Sequence, residues 1–225
     1  MPDTILRPDN YEQWDPRWFE KADASSDAGF YVAPRKVVHI DDTAIAAVTQ
    51  LYRELLPANG AILDLMSSWR SHLPKDVKYS RVAGLGMNAE ELRDNPQLTE
   101  HATQNLNVNP ALPYGDNDFD AAVCCVSVQY LQKPVEVFRE VGRVLKAGAP
   151  FIVTFSNRCF PTKAVNLWRS TSDEEHMQLV AIYFQAAGGW GNITMQDRSK
   201  KRAFGLQSDP LYAVWAYASQ QHAGA

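Results

Sequence analysis

The chain has 225 residues, of which 45% are hydrophobic and 21% charged, the proportions of a soluble globular protein with enough core for one large α/β domain. A net charge of -4 provides no basic footprint for nucleic acid or an anionic membrane. No apolar run approaches the roughly 18–20 residues of a bilayer span, and Met1–Trp14 is too polar for a signal peptide.

The N-terminal stretch, residues 1–40, reads as an arm packed on the domain, because Trp14, Trp18 and Phe19 are large apolar groups in a polar setting. Within it Phe30-Tyr31-Val32 has the character of a short extended segment. Asp41 and Asp42 are good N-caps, and Ile45, Val48, Leu51/Tyr52 and Leu55 have helical spacing as far as Pro57. Ala61–Leu65 is a short buried strand ending near Asp64, with a little over one helical turn expected at Trp69–Leu73 before Pro74. Arg81–Gly86 is a second strand, about 15 residues on, close to the minimum for a parallel crossover. Asn88 opens a helix with Glu91 in capping-box spacing and Pro96 at its end. Thr103–Leu106 is a candidate third strand.

The second half has sharper boundaries. Phe119–Val126 is a buried strand, and Pro134 opens a helix over Val135–Leu145 that closes on Lys146-Ala147-Gly148. Pro150–Phe155 is a strand, and Ser172/Asp173 cap a helix to Ala187 that ends at Gly188-Gly189. Two late strands, Asn192–Gln196 and Leu211–Ala218, flank the basic loop Asp197–Asp209, whose Arg198-Ser199-Lys200-Lys201-Arg202 reads most simply as a solvated charge run. Cys124, Cys125 and Cys159 lack metal-ligand spacing, and the adjacent pair falls on opposite faces of a strand. A reducing, cytoplasmic setting without a metal site follows. Alternating strands and helices with a terminal strand pair predict one Rossmann-like α/β domain over residues 41–225, its sheet mostly parallel.

Leu112-Pro113-Tyr114, Asp116, Phe119-Asp120, Glu140, Arg143-Val144-Leu145-Lys146 and Gly148 stand in a fixed order around the Phe119–Val126 strand. In that order they resemble the class I S-adenosylmethionine-dependent methyltransferases, over roughly Asp41 to Ala218. The resemblance implies a seven-stranded sheet with an antiparallel last strand and S-adenosylmethionine as cofactor. Three positions depart from the family pattern. Asp64 is kept, but Met66, Ser68 and Arg70 occupy the glycine positions of the family's D-x-G-x-G-x-G loop. Gly86 stands where an acid usually meets the ribose, with Asn88 as a substitute acceptor. Asn105-Leu106-Asn107 stands where an acid often faces the adenine.

The resemblance therefore assigns cofactor contacts to Asp64, Met66, Ser67, Ser68, Trp69, Arg70, Gly86, Met87, Asn88, Asn105, Leu106, Asn107 and Ser127. Ser67 and Ser68 could supply hydroxyls where glycine amides serve in the family, or could simply cap a helix. Trp69 could stack on a ligand or only pack, and Arg70 could bind a carboxylate or be solvated. On the substrate side stand Tyr31 and Arg35 of the arm, with Tyr130 and Asn157 after the ends of parallel strands. His39 is the candidate general base, since its ordinary pKa lies near neutrality. The reading is a methyltransferase acting on a small molecule, with no nucleic-acid or membrane partner and the oligomeric state open. The alternative is a catalytically inactive methyltransferase-fold protein acting as a binding, sensing or scaffold partner, motivated by the missing glycines. There is no G-x-G-x-x-G, P-loop, G-x-S-x-G or H-E-x-x-H motif, which argues against the dinucleotide, nucleoside-triphosphate, serine-hydrolase and metalloprotease classes.

Overall fold

The computed structural model describes residues 6–200 and 208–219. Seven strands form one sheet: β1 (Ala61–Leu65), β2 (Arg81–Gly86), β3 (Glu100–Thr103), β4 (Ala121–Cys125), β5 (Pro150–Phe155), β6 (Trp190–Asp197) and β7 (Tyr212–Ala218). The order across the sheet is β3-β2-β1-β4-β5-β7-β6. The pairs β1–β2, β1–β4, β2–β3 and β4–β5 are parallel, whereas β7 runs antiparallel to both β5 and β6. The order reverses between β1 and β4, and a crevice opens there at the carboxyl ends of the strands.

Alternation along the strands feeds a core on each face. Leu63, Leu65, Ala83, Leu85, Phe151 and Val153 join one cluster, where α4 (Pro134–Val144) and α6 (Asp173–Ala187) pack. Ile62, Val82, Val123, Ile152 and Trp215 join the other, under α2 (Asp42–Leu55). Every residue of β5 is buried, the mark of a central strand covered on both sides. Cys124 and Cys125 do fall on opposite faces and are free thiols.

Local chemistry sets the helix ends. Asp41 accepts from the Ala44 amide to start α2, and Ser172 and Glu175 form a reciprocal capping box at the start of α6. Gly188, at φ +70°, ends α6 in a conformation that side chains resist. α3 (Ala89–Arg93) and α5 (Asn166–Arg169) are short.

Four expectations are corrected. Residues 66–80, between β1 and β2, contain no helix, so the turn expected at Trp69–Leu73 is absent. The third strand lies at Glu100–Thr103, placing Asn105–Asn107 in the loop beyond it. Asp27–Phe30 forms one helical turn, α1, with Tyr31 as its C-cap, where an extended segment was expected. β6 begins at Trp190, two residues earlier than expected. Lys201 and Arg202 of the basic loop lie outside the described residues. Arg198 of that loop pairs with Glu54 on α2.

The arm lies against the body. Trp14 is buried in the α4–α6 core. The Lys163 ammonium is 0% exposed; it donates to the Ser25 carbonyl (2.8 Å) and pairs with Asp23 (3.1 Å). No helix among the described residues is long and apolar enough to cross a membrane.

Candidate functional site

The segment after β1 carries no glycine, so its backbone groups and its sharp bend must be accommodated by other means. Met66 takes φ +56° and His72 likewise +56°, a left-handed backbone costing roughly 1–2 kcal/mol in a residue with a side chain. Side chains from neighbouring elements then satisfy the loop. Asn95 Nδ2 donates to the Ser68 carbonyl (2.9 Å) and to Ser71 Oγ (2.8 Å). Gln97 Nε2 donates to the Leu73 carbonyl (2.8 Å), and Thr49 Oγ1 to the His72 carbonyl (2.9 Å). The Ser67 amide donates to Leu85 O at the end of β2 (2.8 Å).

That last bond explains the glycine at the end of β2. A Cβ on Gly86 would stand 2.2 Å from the Ser67 carbonyl oxygen. The loop thus lies across the end of β2 and fills the space where an acidic side chain would otherwise project. With no helix behind β1, neither helix capping nor a helix dipole is available to Ser67 and Ser68. They serve instead as hydroxyl donors, Ser67 Oγ to Asp64 Oδ2 (2.5 Å) and Ser68 Oγ to Glu91 Oε2 (2.8 Å).

Asp64 is buried, and burial raises its pKa from the ordinary 3.8 to about 6, against the lowering effect of hydrogen bonds from Ser67 and Ser71. Glu91, also buried, accepts from Ser68 and from the Arg35 amide (2.5 Å). Its spacing from Asn88 is that of a capping box, yet its side chain turns to these two partners. Asn88 Oδ1 caps the Glu90 and Glu91 amides while its Nδ2 donates to the Tyr31 and Val32 carbonyls. Asn88 is therefore committed to structure, and the acid available beyond β2 is Glu91.

One cavity over the carboxyl ends of β1, β2 and β4 is lined by every residue expected at the cofactor: Asp64, Met66, Ser67, Ser68, Trp69, Arg70, Gly86, Met87, Asn88, Asn105, Leu106, Asn107 and Ser127. Tyr31, Arg35, His39 and Tyr130 line it too. Asn157 does not. It is exposed, and its Oδ1 lies 3.5 Å from Ser156 Oγ. Phe160, three residues further on, enters the cavity instead.

Several side chains are used differently from expectation. Trp69 Nε1 donates to the Val37 carbonyl (2.9 Å), tying the loop to the arm. The Arg70 guanidinium folds back over the Trp69 ring, 3.7 Å from its centroid. Asn107 donates to Asp27 and to the Tyr130 carbonyl and accepts from the Gln132 amide. Tyr130 Oη accepts from the Phe160 amide (2.8 Å). His39 packs edge-on to Phe160, with centroids 5.3 Å apart, and burial lowers its pKa. His72, also in the lining, is lowered to about 4 by burial and by the nearby Arg70 and His39. Both imidazoles are therefore neutral at pH 7.

Glu91, His72, Val126 and Phe160 are lining residues that the family pattern does not point to. Val126 takes φ +44° directly after β4, an outlier for a β-branched residue. Backbone strain of this kind concentrates at functional sites. No group of three or more His, Cys, Asp or Glu among the described residues could hold a metal ion.

Comparison with known proteins bears on the family and the fold. Residues 68–153 match the family described as a methyltransferase domain. A stretch of 78 residues is 37% identical to methyltransferase phqN of Penicillium fellutanum, covering 32% of this chain and 24% of that protein. The match thus spans about a quarter of the relative's length. In structure the chain is similar to a Haloferax volcanii protein solved in complex with the Trm112 methyltransferase activator (TM-score 0.59, 13% identity, 81% of this chain and 92% of that one). A S-adenosylmethionine-dependent methyltransferase from Thermotoga maritima gives TM-score 0.56 at 18% identity, covering 78% and 89%. The [4+2]-cyclase SpnF gives TM-score 0.56 at 16% identity, covering 76% and 80%. At these identities the structures speak to the fold.

Proposed function

We propose that this chain is a methyltransferase of the class I S-adenosylmethionine-dependent superfamily, acting on a small molecule. The observation that carries the reading is convergence. The segments following β1, β2, β3 and β4 all meet on one cavity, and two buried carboxylates, Asp64 and Glu91, stand in its wall.

The lining suits S-adenosylmethionine. Glu91 has two accepted hydrogen bonds and lone pairs to spare for a ribose diol. Leu85, Met87 and Leu106 offer apolar surface to a flat heteroaromatic ring. Asp64 supplies negative charge, at a pH above its raised pKa, for a cationic ligand. When bound, S-adenosylmethionine would bring a methyl group already activated on a positively charged sulfur.

The protein's own share is then alignment and exclusion of water, worth about 7–11 kcal/mol when the reacting atoms are well positioned. The loop after β1 is held rigid by Asn95, Gln97 and Thr49. The arm closes the cavity through Trp69–Val37 and Asn88–Tyr31. His39, neutral and at the rim, is available to take a proton from an acceptor that must lose one. We place no metal in this reaction.

A second reading is binding without methyl transfer. It is favoured by the Ser67 carbonyl lying against Gly86, where an acid would have projected, and by the kinship in fold to a named cyclase. Calorimetric titration with S-adenosylmethionine and S-adenosylhomocysteine separates the possibilities. Saturable binding that weakens at least about tenfold in Glu91→Ala is the expected result. Failure of both ligands to bind at ~1 mM would sink the enzyme reading. Binding without turnover across a panel of O, N and S acceptors would favour the second.

A further inference from the structure

Within the same cavity, the part of the lining that includes Tyr130 after β4 and Phe160 after β5 takes its chemistry from Arg35. The guanidinium rests on ring faces, 4.2 Å from the Phe30 centroid, 5.6 Å from Phe160 and 5.7 Å from Tyr31. Ring faces hold a guanidinium without consuming its N–H groups. One longer contact, Nη1 to the Ala33 carbonyl at 3.4 Å, is its hydrogen bond. Arg35 makes no ion pair with a carboxylate among the described residues, whereas Lys21, in the same lining, pairs with Asp27 at 2.7 Å.

The acids nearby are engaged elsewhere. Glu91 takes the Arg35 backbone amide and the Ser68 hydroxyl. Asp27 takes Lys21 and Asn107. The rings are fixed in turn: the Phe160 amide donates to Tyr130 Oη (2.8 Å), and Phe30 and His39 each pack edge-on against Phe160 at 5.3 Å. The result is a preorganised planar cation with free donors, walled by aromatic rings, facing a cavity. The rim of this compartment is apolar, with Val37 and Val38 lining it while 56% and 46% exposed.

We propose that Arg35 and its surrounding rings form an acid-binding compartment. It takes up a small aromatic or otherwise apolar carboxylate, with the carboxylate on the guanidinium fork and the apolar body against Phe160 and the valine rim. A guanidinium matches a carboxylate bidentately. The Arg35 backbone amide is held by Glu91, while its guanidinium turns toward Phe160, which follows β5; Arg70, the other arginine of the lining, sits on the β1 loop and donates to the Trp69 carbonyl. The proposal rests on reading the cavity as a small-molecule site and names the acceptor class for it.

The test uses the full chain, benzoate and its neutral isostere benzamide, titrated by ligand-observed NMR with and without S-adenosylhomocysteine. Benzoate is expected to bind at least about tenfold more tightly than benzamide. R35Q should abolish that preference while changing S-adenosylhomocysteine affinity less than about twofold. Equal binding of the two probes, or no saturable benzoate binding, overturns the proposal in the unmodified protein, so it does not depend on the variant folding. A loss of S-adenosylhomocysteine affinity in R35Q as large as the loss of benzoate also overturns it, because Arg35 would then hold the cofactor's own carboxylate. Benzoate binding without any S-adenosylhomocysteine binding would leave this compartment standing and refute the methyltransferase reading instead.

Discussion

Asp64 shows how burying a single carboxyl in the cavity wall ties stability to pH. Its carboxyl is raised to about 6 by burial, so between pH ~4 and ~6 the folded state binds more protons than the unfolded one. Stability then falls as pH rises through that window, by on the order of 3 kcal/mol, and is flat beyond it. Asp64→Asn should remove this slope and be no less stable than the parent at pH 7, as read from urea melts between pH 4 and 7.5. Parallel stability profiles for the two proteins would disprove the assignment. Met66 and Gly86 make the complementary point. The strain that glycine avoids at Met66 is tolerated, while the lack of a side chain is obligatory at Gly86, where the Ser67 carbonyl approaches. The glycine requirement has moved from the loop to the strand it crosses. Glu91 was in plain view as a capping-box residue. The positions of Ser68 and of the Arg35 amide, 23 and 56 residues earlier, turn it toward the cavity.

At the scale of elements, the arm is the part whose position depends most on a few polar contacts. Lys163, after β5, reaches across to Asp23, Ser25 and Asp27 with no exposed surface of its own. Breaking one side of a buried ion network leaves the remaining charges unpaired, at a cost of about 3–5 kcal/mol. Lys163→Met should therefore destabilise the chain by about 3 kcal/mol and speed amide exchange across residues 20–35. The central strands β1, β4 and β5 should keep their relative protection. Uniform acceleration over the whole chain would mean that the arm is not a separately anchored element. The crossover from β1 to β2 is the other irregular element. Its side-chain hydrogen bonds from Asn95, Gln97 and Thr49 replace a helix's internal ones, and no local pattern in residues 66–80 announces that replacement.

For the molecule as a whole, the cavity joins four strand ends and the arm, so a ligand filling it links segments far apart in sequence. S-adenosylhomocysteine at ~100 times its Kd should add about 2.7 kcal/mol and raise the melting temperature by about 5–10 °C. A shift that persists undiminished in Glu91→Ala would place the ligand elsewhere. The α/β architecture, the positions of β1, β2 and β5, α4 and the capped α6 were legible from residues alone, because burial periodicity and caps are local signals. The ordered run from Leu112 to Gly148 was enough to show the resemblance to methyltransferases, and Asp64 with its loop marked the cavity. The true extent of β3, the missing helix after β1 and the exclusion of Asn157 were not legible. Each depends on which distant side chain satisfies a backbone group or occupies a space. By itself the sequence determined the order of strands and helices and which loops meet at the switch point, since hydrophobic period and turn chemistry act over a few residues. Only the tertiary structure decided that Glu91 turns into the cavity wall beside Gly86, that Asn88 is committed to a cap, and that Arg35 makes no ion pair among the described residues. Hydrogen-bond satisfaction and charge pairing are settled across the fold, between residues as far apart as Lys163 and Asp23.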